Sequence, residues 1–375
     1  MIEGQLIIDV KRSSSDTTVT ITSSRPLHAS QILVGKSPEQ ALKIVPLLFN
    51  ICGIAQSYNA FRVLIHQKNY KNSAQQILVL TETLKEHLLR IFLDAPQLLN
   101  IKASDVNLSF VAQLVKQMQT SILGGQPIFD FENNATIQQA ETQALIEEIE
   151  TFLEKHLFGM PINQWQQINT YLALIEWSTK QQSIATKAIN TIIKNDWSSQ
   201  AAISLQPLPV LPVKELEFEL GNGNAKNFIA QPRWQQKTYE TTPLTRHRNN
   251  SLIIDLQEKH GNGLLTRWLA RLVEVSLLPL QIRTLLANKS ATTESSQIAQ
   301  IEAARGRLIH RAVVENNKVK TYQIVAPTEW NFHPNGVVVE SLKNIKTKTN
   351  SEYQKIAHCV INAIDPCVGY ELRVS

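Results

Sequence analysis

The chain has 375 residues, a formal net charge of +5, 18% charged and 43% hydrophobic side chains, and three cysteines. That length corresponds to about two to three domains' worth of chain, enough for a sizeable core, and no apolar run reaches the ~18 residues of a membrane-spanning helix. A sparse, odd set of cysteines excludes a disulfide framework and suits a reducing compartment, and Met1-Ile2-Glu3-Gly4 does not read as a signal peptide, so a soluble cytoplasmic protein is expected. Lysines and arginines are scattered, as at Lys343, Lys346 and Lys348, which fits a solvated face or an acidic partner protein rather than a nucleic-acid groove.

In chain order, short alternating runs at 6–10 and 18–23 predict strands. Ser37-Pro38-Glu39-Gln40 reads as a helix start, with Ser37 as N-cap and Pro38 at the first helical position. Pro46 is expected to end or kink that helix near Val45, which leaves Cys52 beyond the break and Gly53 free to turn closely around whatever the sulfur holds. Long helical segments follow at 73–93, 105–123 and 137–157. In the last, Leu145, Ile149, Phe152, Leu153 and Leu157 share one face, while Glu147, Glu150, Glu154 and Lys155 turn outward. Residues 164–193 continue the helical part.

The proline-rich stretch from Gln206 to Pro212 predicts an extended connector, and Gly221-Asn222-Gly223-Asn224 a loop. Leu264, Leu265, Trp268, Leu269, Leu272 and Val275 form an apolar stripe at helical spacing, which marks core. After a polar loop at 290–296, residues 307–325 alternate as a hairpin around Glu315-Asn316-Asn317-Lys318. A helix at 352–364 then delivers Asp365-Pro366-Cys367. The pattern is α+β and mainly helical, without internal repeats or low-complexity tracts. Gly261-Asn262-Gly263 lacks the Lys-Ser/Thr of a phosphate loop, and no Ser-His-Asp order, Cys-x-x-Cys pair or His-Glu-x-x-His helix is present.

Two cysteine settings remain to be explained. Asn50-Ile51-Cys52-Gly53-Ile54-Ala55-Gln56-Ser57-Tyr58-Asn59 and Asp365-Pro366-Cys367-Val368-Gly369-Tyr370-Glu371-Leu372-Arg373 are similar to the two metal-binding signatures of nickel-iron hydrogenase large subunits, Arg-x-Cys-Gly-x-Cys-x-x-x-His and Asp-Pro-Cys-x-x-Cys-x-x-His. More of the chain resembles that family. Ile2 to Val10 looks like its opening strand, with Glu3 at the place of a proton-transfer glutamate and Gln5 where the family has His. His87-Leu88-Leu89-Arg90-Ile91-Phe92 is similar to the helix after the first signature, and Pro243-Leu244-Thr245-Arg246 to a Gly-Pro-Leu-Ala-Arg element. Glu302-Ala303-Ala304-Arg305-Gly306 through His310, and Thr321 through Pro327-Thr328-Glu329-Trp330-Asn331, resemble the family's Glu-Ala-Pro-Arg-Gly-x-x-x-His and Tyr-Gln-x-x-x-Pro-Thr-x-Trp-Asn run. The resemblance implies one hydrogenase large-subunit-like unit over 1–375, divided into 1–70 with the first strands and half-signature, a helical region 71–200, a connector and core helix 201–300, and a hairpin with the C-terminal half-signature 301–375.

The departures are equally regular. In the family four thiolates hold the binuclear centre, two of them bridging nickel and iron, because soft sulfur suits both metals. Here Ala55 and Tyr370 stand at the bridging positions, so neither hydrogenase activity nor stable nickel is expected. The family's iron-facing Arg after Trp-Asn-x-x-Pro is replaced: Pro334 leads to Asn335, whose amide can donate a hydrogen bond to cyanide but supplies no guanidinium. The last His of the second signature is Arg373, followed by Val374 and Ser375, so nickel-gated processing is not expected either.

This combination resembles the HupK-type accessory proteins of hydrogenase operons, paralogues of the large subunit. It implies a non-catalytic scaffold for assembly or transfer of an Fe(CN)2CO unit, with Cys52 and Cys367 as metal ligands and hydrogenase maturation proteins and the large-subunit precursor as partners. In the enzymes these first-position sulfurs are terminal nickel ligands, so iron would sit displaced toward the nickel position. Supporting roles fall to Glu3, Gly53, Arg305, His310, Pro334, Asn335, Asp365 and Pro366. Each has a plainer reading. Glu3 is a relic where no hydrogen is split; His310 is as well suited to the core as to a ligand role; Arg305 organises loops; Asp365 caps the turn before Cys367, which Pro366 holds extended. Cys359 reads as a small buried hydrophobe. A metal-free chaperone or decoy of the large subunit is the alternative function, and a degenerate redox enzyme with an altered metal site the third.

Overall fold

A computed structural model describes residues 4–13, 16–49, 51–65, 70–71, 73–103, 105–124, 137–204, 206–288, 292–293 and 296–375. Leu6, Ile8 and Val10 alternate inward along β1 (Gln5–Arg12) and make it the centre of a three-stranded sheet. On one side it pairs antiparallel with β2 (Thr17–Ser23); on the other it pairs in parallel with the last strand of the chain, with Leu6 opposite Tyr370 and Ile8 opposite Leu372. The two chain ends are thereby joined.

Helix α1 (Pro38–Leu48) starts where its sequence requires. Ser37 Oγ accepts the Gln40 N–H and the Gln40 side chain returns to the Ser37 N–H, a complete capping box. The helix passes through Pro46 and stops two residues later. Proline in a last turn removes one helical hydrogen bond near an end that frays anyway, so the stop is displaced from Val45 rather than abolished. Helix α2 (Gly53–Leu64) begins after a short break.

The segment predicted at 73–93 is α3 (Ser73–Leu89) followed by a π-helical turn, Arg90–Asp94, and a short helix, Ala95–Leu99, that ends at left-handed Asn100. Helix α4 (Ser109–Leu123) starts later than position 105, because the Asn107 side chain accepts the Ser109 N–H and fixes a turn there. Helix α5 (Gln139–Phe152) continues as a π turn, Leu153–Phe158, with Leu145, Ile149, Leu153 and Leu157 buried. The stretch 164–193 is three helices, Ile162–Trp165, Tyr171–Lys180 and Ile184–Lys194. Thr170 and Ser183 cap the second and third through their hydroxyls and so interrupt the run.

Beyond the extended connector, two helices, Val213–Gly221 and Ala225–Ala230, flank the Gly/Asn loop. Helix α6 (Leu264–Ala287) carries the apolar stripe, every member of it buried, and packs on α3 and α5. Strands β3 (Ile298–Ala303), β4 (Gly306–Glu315) and β5 (Lys318–Val325) form an antiparallel meander against α2. Helix α7 (Asn350–Ile364) leads to β6 (Gly369–Val374). Among the described residues no helix is long and apolar enough to cross a membrane.

Candidate metal centre

Cys52 is the residue before α2, and its side chain makes no capping bond. The first N–H groups of that helix need a partner nonetheless. Glu82 of α3 supplies it: its two oxygens accept from Ile54 and Ala55, each at 2.9 Å. Burial pushes the Glu82 carboxyl up to about 7, against the lowering effect of these two N–H groups. Gly53 is the first residue of α2, and a Cβ there would meet nothing nearer than the Pro46 carbonyl at 3.9 Å, so the protein leaves this space unfilled.

One turn into α2, the Gln56 amide donates to Cys52 Sγ at 3.6 Å. Its Oε1 lies 2.8 Å from His310 Nε2, and His310 Nδ1 lies 2.8 Å from the Tyr322 hydroxyl. Because Gln56 Oε1 can only accept, the proton of His310 sits on Nε2 and Nδ1 accepts from Tyr322. Burial drives His310 down to about 3. It is a neutral histidine with both nitrogens engaged, which aims Gln56 at the sulfur and is not itself placed as a ligand.

Cys367 arrives from the other end of the chain. Helix α7 terminates at Asp365, which takes the left-handed conformation, φ 67°. Its carboxylate does not cap the turn. Pro366 has no N–H to offer, and the Cys367 N–H goes to Thr328 Oγ1 at 3.2 Å. Asp365 Oδ1 instead joins Arg90 Nε at 2.9 Å and Arg305 Nε at 3.2 Å. Arg305 also donates to the Pro366 carbonyl and to Glu86, at 3.3 and 3.1 Å. The loop before Cys367 is thus held by a buried ion-pair chain, Glu86–Arg305–Asp365–Arg90.

The two cysteines line one cavity and bear on each other's charge. Interaction with Cys367, together with burial, pushes the Cys52 thiol well above its ordinary range. Interaction with Cys52, aided by Arg305 and Arg25, draws Cys367 down to about 6 although burial opposes it. Of the two, Cys367 is the sulfur that gives up its proton more readily. Both line a cavity of ≈ 80 Å³, room for several waters, with Arg25, Gln56, Arg305 and Glu329 around it. Glu329 pairs with Arg25. Sequence reasoning missed Arg25, Gln56, Glu82 and Thr328 in this setting; Gln56 stood inside the first half-signature and Thr328 inside the Pro-Thr match.

Ala55 and Tyr370, expected from the resemblance at the bridging positions, make other contacts. The Ala55 methyl is buried with Tyr58, Val79 and Leu308. The Tyr370 hydroxyl bonds His358 Nδ1 at 2.9 Å. Pro334 and Asn335 were expected beside the cysteines and are not brought there. They lie in an exposed turn, where the Asn335 N–H bonds His333 Nδ1 and its carbonyl accepts from Thr238. That turn closes on itself at Gly336, whose neighbours leave no space for a side chain. Arg373 is exposed and pairs with Glu371. Cys359 is buried on α7, where burial pushes its thiol up to about 12. Glu3 and Asn50 lie outside the described residues. Among the described residues no group of three or more His, Cys, Asp or Glu side chains could hold a metal ion.

Residues 256–370 match the sequence profile of the nickel-dependent hydrogenase family. Solved structures with the same fold include the [NiFeSe] hydrogenase of Desulfovibrio vulgaris Hildenborough, with 16% identity, TM-score 0.66 and 98% of both chains covered. That of Desulfomicrobium baculatum gives 17% identity and TM-score 0.68, covering 98% of this chain and 96% of the other. The chain thus has the fold of the nickel-iron hydrogenase large subunits, and over residues 256–370 its sequence is similar to that family. Its relatives over nearly the whole length carry accessory names. The hydrogenase expression/formation protein HoxV of Cupriavidus necator is 26% identical over 94% of this chain and 92% of its own. The expression/formation protein HupK of Rhizobium leguminosarum is 21% identical over 99% and 96%.

Proposed function

We propose that this chain serves hydrogenase maturation as a non-catalytic scaffold, holding an iron unit with two cyanides and one carbon monoxide, Fe(CN)2CO, as cargo for the large-subunit precursor. The observation that carries this reading is two thiols lining one cavity and, among the described residues, no group of three or more His, Cys, Asp or Glu side chains able to hold a metal ion. A bare divalent ion asks for four to six donors, and two sulfurs leave it under-coordinated. An iron that brings three strong ligands of its own needs only two more. Soft thiolates suit low-spin iron, and the missing bridging sulfurs at Ala55 and Tyr370 remove the means of holding nickel beside it.

Binding divides the work among named residues. Cys367 offers a thiolate near neutral pH, while Cys52 must release its proton as the second bond forms, so loading is coupled to proton release. The Gln56 amide then donates to the new thiolate. Glu82 fixes the start of α2, and the Asp365–Arg305 pair fixes the loop before Cys367. Maturation proteins that deliver the unit and the precursor that receives it are the partners this role requires. The alternative, a metal-free chaperone or decoy, draws on the large-subunit-like surface alone.

Infrared spectroscopy of protein purified without air from cells that make hydrogenase decides between the two. Sharp cyanide and carbonyl stretches, with iron, are expected. Their absence would leave the chaperone.

A further inference from the structure

Away from the cysteines, two cavities share one carboxylate. The first, of ≈ 530 Å³, is lined by the proline-rich connector and by polar side chains, among them Arg246, Arg248, Asn249 and Arg307. The second, of ≈ 750 Å³, is mainly apolar, with Val79 and Leu80 of α3, Leu277, Leu280 and Leu285 of α6, and Arg62 of α2 in its wall. Glu302 of β3 lines both. Four arginines and a single carboxylate therefore line the pair. Glu302 is already claimed twice, by Arg307 Nε at 2.7 Å and by Arg246 Nη1 at 3.4 Å, and Arg246 is further held by Glu274. The other two arginines have no carboxylate. Arg248 is exposed, without a hydrogen bond or ion pair among the described residues. Arg62 donates from Nη1 to the Gln300 carbonyl and lies over the Tyr58 ring, while its Nε is buried without a partner. In the apolar wall Leu280 is 57% exposed, although its neighbours on α6 at 278, 279 and 282 are buried.

We propose that these two cavities dock an acidic segment of a partner protein, one in which carboxylates adjoin large apolar side chains. Arg248 and Arg62 take the carboxylates, and the cavity beside Leu280 takes an apolar side chain. A guanidinium without a partner binds a carboxylate through parallel, charge-assisted hydrogen bonds, and an exposed apolar wall bordered by polar groups is the usual make-up of a protein contact. Size and lining argue for a chain segment over a free ion. A lone carboxylate or phosphate would occupy a corner of the first cavity and gain nothing from the second, whereas several residues of an extended chain can use both. The formal net charge of +5 favours the approach of an acidic partner. This docking needs neither the cysteines nor iron, and so goes beyond the scaffold role.

The probes are short capped, fluorescein-labelled peptides that combine two glutamates with two leucines in every order, and the same peptides with glutamine for glutamate. Each is titrated with the full chain and followed by fluorescence anisotropy. The expected result is binding of an acidic peptide that salt weakens, with its glutamine version about tenfold weaker or more. Arg248→Glu and Leu280→Ser should each weaken that binding about tenfold. Arg62→Gln should do so too; because Arg62 is partly buried and that variant can fail to fold, the two exposed positions decide. No binding by any acidic peptide, or binding that Arg248→Glu or Leu280→Ser leaves unchanged, overturns the proposal. Competition by acetate or inorganic phosphate as effective as the peptide would reduce the site to one for small anions, and self-association of the chain lost in the same variants would assign the face to a second copy; either result overturns it as well.

Discussion

Cys367 is drawn down and Cys52 pushed up, and the asymmetry between them has measurable consequences. Cys367 is the readier thiolate because Cys52, Arg305 and Arg25 stabilise its charge. Alkylation of Cys367 by a small haloacetamide, followed by peptide mass spectrometry, should proceed near pH 7 and fall about tenfold for each pH unit below about 6 as the thiolate takes up its proton. Cys52→Ala removes that interaction and should shift that fall to higher pH; an unmoved profile would show that the sulfurs do not interact. Iron should be lost from both Cys52→Ser and Cys367→Ser, since a neutral hydroxyl replaces thiolate poorly at a soft, low-spin metal. Cys359→Ser should retain it, because that sulfur is buried on α7, its thiol directed at the Leu98 carbonyl 3.8 Å away. At this scale the two cysteines were legible from their flanking residues. Arg25 and Glu82 were not, since nothing local marks a side chain whose partner lies on another element.

The elements show the same division. Capping chemistry is local, so the start of α1 could be read from Ser37 and Gln40. The support of α2 is not local: Glu82 reaches it from 27 and 28 residues away in sequence. Removing that carboxylate leaves the Ala55 N–H, buried, and the Ile54 N–H, part-buried, without a partner at the first turn, so Glu82→Ala should cost on the order of 1–3 kcal/mol, read by thermal or denaturant unfolding. The same variant should lose iron affinity beyond what lost stability explains, because Cys52 is the residue before that turn. Iron binding that tracks stability alone would reduce Glu82 to an ordinary cap. The role of Asp365 was misjudged from sequence for the same reason. Asx-turn chemistry favours a cap, whereas Arg90, 275 residues distant in the chain, and Arg305 claim the carboxylate.

Over the whole molecule, joining the ends creates the candidate centre. β1 and β6 pair in parallel, and Cys367 lies two residues before the strand that makes this contact. Alternation in residues 6–10 predicts a strand but not its partner, so only the resemblance of the two half-signatures to one site indicated that positions 52 and 367 meet. A large-subunit-like fold with Ala55 and Tyr370 where the resemblance places the bridging thiolates yields opposite expectations for two metals. Stoichiometric nickel and hydrogen-dependent dye reduction should both be absent from anaerobically purified protein, and finding either would show that the losses at Ala55 and Tyr370 were misread. For iron the decisive measurement is cellular, because scaffold and chaperone share the surface and differ only in need of the thiols. Cells carrying the Cys52→Ser, Cys367→Ser double variant should make the large-subunit precursor at normal levels and accumulate it unprocessed, with little active hydrogenase, as long as the variant itself is present at normal abundance. Normal maturation in those cells would mean that the surface suffices without the sulfurs, and the metal-free chaperone would then be the better account.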